Sequence, residues 1–148
     1  MTSADPNHKG NVAELAIAAA ATKLGIAVSK PLAEHTRYDL IFDLGSRLIR
    51  VQCKWAPLRS DVVQVNLMSS RHTSAGKQIR TPYTAEEVDA IGAYCEQLDR
   101  CFLVPVGRVT GTRSVSLRVA APENGQRAAL RTYLARPSAI VARQAITP

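Results

Sequence analysis

Paired cysteines are missing from this sequence. Cys53, Cys95 and Cys101 are the whole complement, an odd count without CxxC spacing, which argues against a disulfide framework or a four-ligand zinc site and leaves small reduced hydrophobes. A long hydrophobic run is missing too. The most apolar stretch, residues 15–21, is mostly alanine, is flanked by Glu14 and Lys23, and falls well short of the roughly 20 residues that span a bilayer. Residues 1–10 are polar and lack the apolar centre of a secretory signal, so a cytoplasmic location is expected. Acidic residues are in deficit, 12 against 19 Lys and Arg, and the net charge of +7 points to an acidic partner, nucleic acid first. What is present is ordinary globular composition, 46% hydrophobic and 21% charged over 148 residues. No repeat or low-complexity linker divides the chain, which predicts a single domain over 1–148 with flexible arms at 1–9 and 137–148.

Residues 11–24 are strong helix formers, and Gly25 stands where a left-handed C-terminal cap belongs. Residues 39–44 alternate in polarity, and residues 48–55 alternate again after Gly45-Ser46, which predicts an antiparallel hairpin. A third strand is expected at 62–67. Residues 68–83 read as a long basic loop carrying Arg71, His72, Lys77 and Arg80. Thr84-Ala85-Glu86-Glu87 has the form of a capping box, and Val88, Ile91, Cys95 and Leu98 form a stripe that predicts a second helix to about residue 98. Strands at 101–106 and 114–120 and a third helix at 124–135 complete an α/β or α+β arrangement, a mixed central sheet flanked by helices.

Side chains alternate along a strand, so Asp39, Ile41 and Asp43 share one face, and Arg50, Gln52 and Lys54 share one on the next strand. Paired across the turn, Asp39 and the Gln52/Lys54 pair converge at the hairpin end remote from Gly45. A hard divalent cation such as Mg2+ needs one or two carboxylates, a carbonyl and waters, which Asp39 and the backbone carbonyl of Cys53 would supply. Lys54 would then lie where it can orient or deprotonate a water attacking phosphorus. Glu14, mid-helix among alanines, faces either solvent or a site. His8, His35 and His72 have no ligand spacing, and Asp43 and Asp61 read as solvated.

The order Lys9-Gly10, Glu14, Tyr38-Asp39-Leu40-Ile41 and Val51-Gln52-Cys53-Lys54 resembles that of the PD-(D/E)xK nucleases, with Gln in the (D/E) place. More narrowly it resembles the short endonucleases of group I introns that use QxK, relatives of the archaeal Holliday-junction resolvases. Residues 83–89, Ala93-Tyr94-Cys95 and residues 102–106 look like that family's second block. The resemblance implies a restriction-endonuclease-like core and an active site of Glu14, Asp39, Gln52 and Lys54, with Glu14, Asp39, Gln52 and the Cys53 carbonyl toward the metal. It also suggests that Asp89 pairs with a basic residue structurally. Tyr38 stands where the motif has Pro, and the neutral Gln52 removes one negative charge, which implies weaker metal binding or one ion where relatives hold two.

Between residues 37 and 80 eight Lys and Arg face three acids, so most of the surplus charge gathers around this site. Lys9, Arg37, Arg47, Arg50, Arg71, Lys77 and Arg80 are the expected DNA contacts. The expected function is a metal-dependent, site-specific endonuclease acting on double-stranded DNA, as a homodimer or larger homo-oligomer because two strands need two sites. A Holliday-junction-resolving or other structure-specific nuclease is the near alternative, and a non-catalytic nucleic-acid-binding module the distant one.

Overall fold

The computed structural model describes residues 5–119. Helix α1 (Pro6–Lys23) opens with Pro6 at its first turn and Asp5 as N-cap, whose carboxylate accepts from the Asn7 N–H. It therefore begins within the expected N-terminal arm. It ends as expected, with Gly25 at φ 81° beyond the cap residue Leu24.

Strands β1 (Ala27–Ser29), β2 (Leu40–Asp43), β3 (Leu48–Trp55), β8 (Ala90–Cys95) and β9 (Arg100–Pro105) form one sheet in the order β1-β2-β3-β8-β9. The β3–β8 pair is parallel and the others are antiparallel, so the sheet is mixed. Strands β4 (Leu58–Arg59), β5 (Val62–Asn66) and β10 (Ser114–Arg118) make a three-stranded sheet, and β6 (Met68–His72) with β7 (Gln78–Pro82) a two-stranded ribbon.

The central sheet is covered on both faces. Ala13, Ile17 and Ala21, four residues apart on α1, pack with Leu40, Phe42, Ile49, Val51 and Tyr94. Ile91, Ala93, Cys95, Phe102 and Val104 point the other way and pack with Val63, Val65 and Leu117 of the small sheet. The three cysteines are free thiols. No helix among the described residues is long and apolar enough to cross a membrane.

Three expectations are corrected. The second helix is absent: residues 84–88 make only a turn, with the Glu87 and Val88 N–H groups both donating to the Thr84 carbonyl, and β8 follows. All six residues of β8 are buried between β3 and β9. A strand buried on both faces reads as a continuous apolar run, from which a helical stripe is easily drawn. The basic loop is the β6–β7 ribbon, paired from Met68–Pro82 to His72–Gln78 and closed by a turn with Gly76 at φ 77°. Asp39 immediately precedes β2, where its N–H donates to the Val51 carbonyl. The expected third helix at 124–135 and the arm at 137–148 lie outside the described residues.

Candidate active site

The β2–β3 register pairs Leu40 with Val51, and Asp39, the residue before β2, lines the same cleft as Gln52. The carboxylate does not swing freely. Asp39 Oδ2 accepts the Cys53 N–H at 2.9 Å, extending the ladder past the end of β2 with a side chain. A strand residue's N–H and C=O point to the same side, so the Cys53 carbonyl also faces Asp39. Burial raises the Asp39 pKa, and the charge of Glu14 adds to the rise; the Cys53 N–H, Lys54 and Lys30 oppose it. Glu14 on α1 is thus within electrostatic reach of Asp39. It is also ion-paired with Lys30, just after β1, whose own pKa is raised chiefly by that bond.

Lys54 Nζ donates to the Met68 carbonyl at 3.0 Å. Burial lowers its pKa, with Asp39 opposing and Arg37 adding to the fall. Gln52, half-buried, makes no side-chain hydrogen bond to any described residue. It lines, with Asp39, Arg37, Ser69, Arg71, His72, Thr81 and Tyr83, a cleft of about 710 Å³ between the β2–β3 hairpin and the ribbon. Burial drives the Tyr83 hydroxyl up to about 12.

The expected cations divide by partner. Arg50 is held by Asp89, at 3.0 Å from Nε and 3.2 Å from one terminal nitrogen, and by the Glu86 and Ala85 carbonyls. Asp89 also accepts the Arg50 backbone N–H at 2.8 Å, so it does pair with a basic residue, from the residue before β8 and not from a helix. Burial alone would raise the Asp89 pKa, and these hydrogen bonds outweigh it and hold it low. Arg37 pairs with Glu87 at 3.0 Å and donates to the Pro82 carbonyl at 3.1 Å. Lys9 lies 5.7 Å from the Trp55 ring. Arg47 is exposed at the β2–β3 turn, the hairpin end opposite Asp39. Arg71, Lys77 and Arg80 are exposed on the ribbon.

Lys30 and Tyr83 were not singled out as site residues by sequence. Nothing local marks Lys30, because its partner Glu14 is sixteen residues away across the helix–strand packing. Tyr83 reads as the end of a loop until the ribbon is seen to fold back over Lys54.

Asp39 and Gln52 line the cleft and the Cys53 carbonyl faces Asp39, whereas Glu14 is not among the cleft's lining residues and reaches Asp39 through its charge. No group of three or more His, Cys, Asp or Glu side chains is assembled for a metal among the described residues. All-oxygen donors with open coordination positions fit a hard divalent cation that retains waters.

A mixed sheet with Asp39, Gln52 and Lys54 toward one end of its inner hairpin, and a helix carrying Glu14 packed on it, is a restriction-endonuclease-like core. The sequence profile of the PD-(D/E)XK endonuclease family matches residues 4–134, and the chain belongs to that family. Among solved structures, the bacterial homing endonuclease I-Ssp6803I is similar with a TM-score of 0.66 and 28% identity, over 84% of each chain. No curated protein matches.

Proposed function

We propose that this endonuclease is a divalent-cation-dependent enzyme that cuts double-stranded DNA at a specific site, as I-Ssp6803I's description as a homing endonuclease suggests. The observation that carries the reading is that end of the β2–β3 hairpin. Asp39, fixed by the Cys53 N–H, lines with Gln52 a cleft walled by a basic ribbon, and Lys54 lies two residues beyond Gln52 on β3. Asp39, Gln52, the Cys53 carbonyl and Glu14 would hold the cation, Mg2+ in the first instance. When bound it supplies positive charge against the phosphate and its leaving oxygen. Lys54, half-buried and with its pKa lowered, would orient the attacking water or move its proton.

The ribbon supplies the recognition surface. Ser70, His72, Gln78 and Arg80 share one face of it by register, with the Gln78 amide donating to Ser70 Oγ at 2.7 Å. A two-stranded ribbon fits the major groove, where Arg and Gln read base edges. Arg71 and Lys77 flank it as phosphate contacts, and Arg37, Lys9 and Arg47 extend the positive field. Arg50 is assigned to structure, its donors being taken by Asp89 and carbonyls. One site per subunit calls for at least a homodimer for double-strand cleavage.

The test is plasmid cleavage with and without Mg2+, followed by selection of cut sites from a random duplex library. Lys54→Met should bind duplex DNA like the parent and fail to cut it. Full activity in that variant, or equal cutting in chelator, overturns the proposal.

A further inference from the structure

Tyr83, 8% exposed and directly after β7, carries two cations over one ring. Lys54 Nζ stands 5.1 Å and Arg37 Cζ 4.7 Å from the ring centroid. Both lie within the roughly 6 Å at which an aromatic face attracts a cation. The two are not otherwise held alike. Arg37 is fixed by Glu87 and the Pro82 carbonyl, through a planar fork. Lys54 has one hydrogen bond among the described residues, to the Met68 carbonyl. An ammonium has three donors on a flexible four-carbon stem, and a single acceptor leaves the stem able to pivot about that bond. The Tyr83 ring removes that freedom by offering the ammonium a second, broad attraction in a place shielded from water.

We propose that Tyr83 is a positioning residue, whose ring face holds the Lys54 ammonium at the hairpin end shared with Asp39 and Gln52. The inference rests on the nuclease reading and refines it. The ring is the part that faces the ammonium, while the hydroxyl is hydrogen-bonded to Ser69, so Tyr83→Phe loses that bond and keeps the ring, and Tyr83→Leu loses both.

The first readout needs no cleavage. The chain has five lysines, so selective lysine labelling gives few ε-methylene NMR signals, and loss of one in Lys54→Arg assigns Lys54. A methylene above an aromatic face is displaced upfield. The Lys54 signal should be displaced in the parent and in Tyr83→Phe, and should return to the position of exposed lysines in Tyr83→Leu. Lys9, over Trp55, is an internal control that none of these variants should move. The second readout is kinetic: Tyr83→Leu should lower kcat by about three- to thirty-fold with KM within about twofold, the range a cation–π contact carries, and Tyr83→Phe should keep kcat.

If Tyr83→Leu does not fold, Tyr83→Met makes the same comparison. An unmoved Lys54 signal, or a ringless variant that cuts at the parental kcat, overturns the inference and leaves the nuclease reading standing. A parent that cuts no duplex under any divalent cation overturns that reading, and the kinetic part of the inference with it.

Discussion

Gly92 is the point where the central sheet admits α1, and replacing it tests how the site is assembled. A Cβ at this position would stand 3.0 Å from Ile17 Cγ2, 3.2 Å from Val51 Cγ1 and 3.3 Å from Ile17 Cδ1. Ile17 and Val51 are both fully buried, so neither can move aside into solvent. Forcing an extra methyl into a packed core costs about 1–3 kcal/mol. Against this, alanine relieves the extra backbone entropy that glycine loses in a strand, about 0.5–1 kcal/mol. Packing wins, and Gly92→Ala should lose roughly 0.5–2 kcal/mol, a fall in Tm of about 2–8 °C for a chain of this size.

Urea melts of the single and double variants check the cause. Ile17→Ala alone should cost about 2–5 kcal/mol, because it empties a core site. In that background Gly92→Ala should become neutral or stabilising, since its methyl now enters vacated space. Glu14 lies one turn before Ile17 on the same helix, so Gly92→Ala should also slow cleavage at temperatures where the variant is fully folded. A Gly92→Ala variant as stable as the parent, or one equally damaging with and without Ile17, refutes the claim that α1 seats in this notch.

Asp39→Asn should abolish cleavage yet raise stability at neutral pH by about 0.5–2 kcal/mol. The folded pKa of Asp39 is raised, so the folded state holds the proton more tightly and parental stability falls as pH rises through that pKa; an Asn variant no more stable at pH 7 contradicts this. Asp89 has the opposite sign: its folded pKa is lowered, so its contribution is present above about pH 4 and is lost as pH falls further. Asp89→Asn should therefore cost about 1–2 kcal/mol at pH 7 in urea melts and lose that part of the acid transition. Gln52→Glu should tighten divalent binding in calorimetry, since an ionised oxygen attracts a hard cation more than an amide does, and unchanged binding would remove Gln52 from the cation's neighbours. Arg71→Ala or Lys77→Ala should reduce the salt slope of duplex binding by about one on all sequences, while Arg80→Ala should cost about 1–3 kcal/mol at one base pair; identical behaviour on cognate and scrambled duplexes would deny Arg80 a reading role.

The hairpin was legible because one face of it is buried and the other is not. Alternation over 39–44 and 48–55 fixed which side Gln52 and Lys54 take, and in the structure Asp39 lines the same cleft as Gln52. The helix expected at 84–98 failed for the complementary reason: β8 is buried on both faces and shows no alternation. The ribbon was missed because its exposed strands are rich in Ser, Arg and Gln, and a strand without a buried face has no period-two hydrophobic signal. Lys30 and Tyr83 were invisible as site residues because their relevance lies in contacts between distant segments.

The ribbon and the hairpin end are joined through the same few groups. Lys54 donates to the carbonyl of Met68, the first residue of β6, and Arg37 to that of Pro82, the last residue of β7. Met68 and Pro82 are themselves paired, so these two cations grip the two strands at their common base, with Tyr83 at the junction. Two hydrogen-bonded strands move together, so a tilt given to the tip reaches the base. Seating of Arg80 and Gln78 against a duplex would therefore reset the acceptor of the Lys54 ammonium directly, without an intervening element. Breaking the grip at Arg37 should loosen that link while keeping the Lys54 side chain, and it also removes a positive charge that holds the Lys54 pKa down; Arg37→Ala should reduce the difference in cutting rate between cognate and mismatched sites more than it reduces duplex affinity. Equal loss of rate on every sequence would show that Arg37 serves the phosphate and not that link.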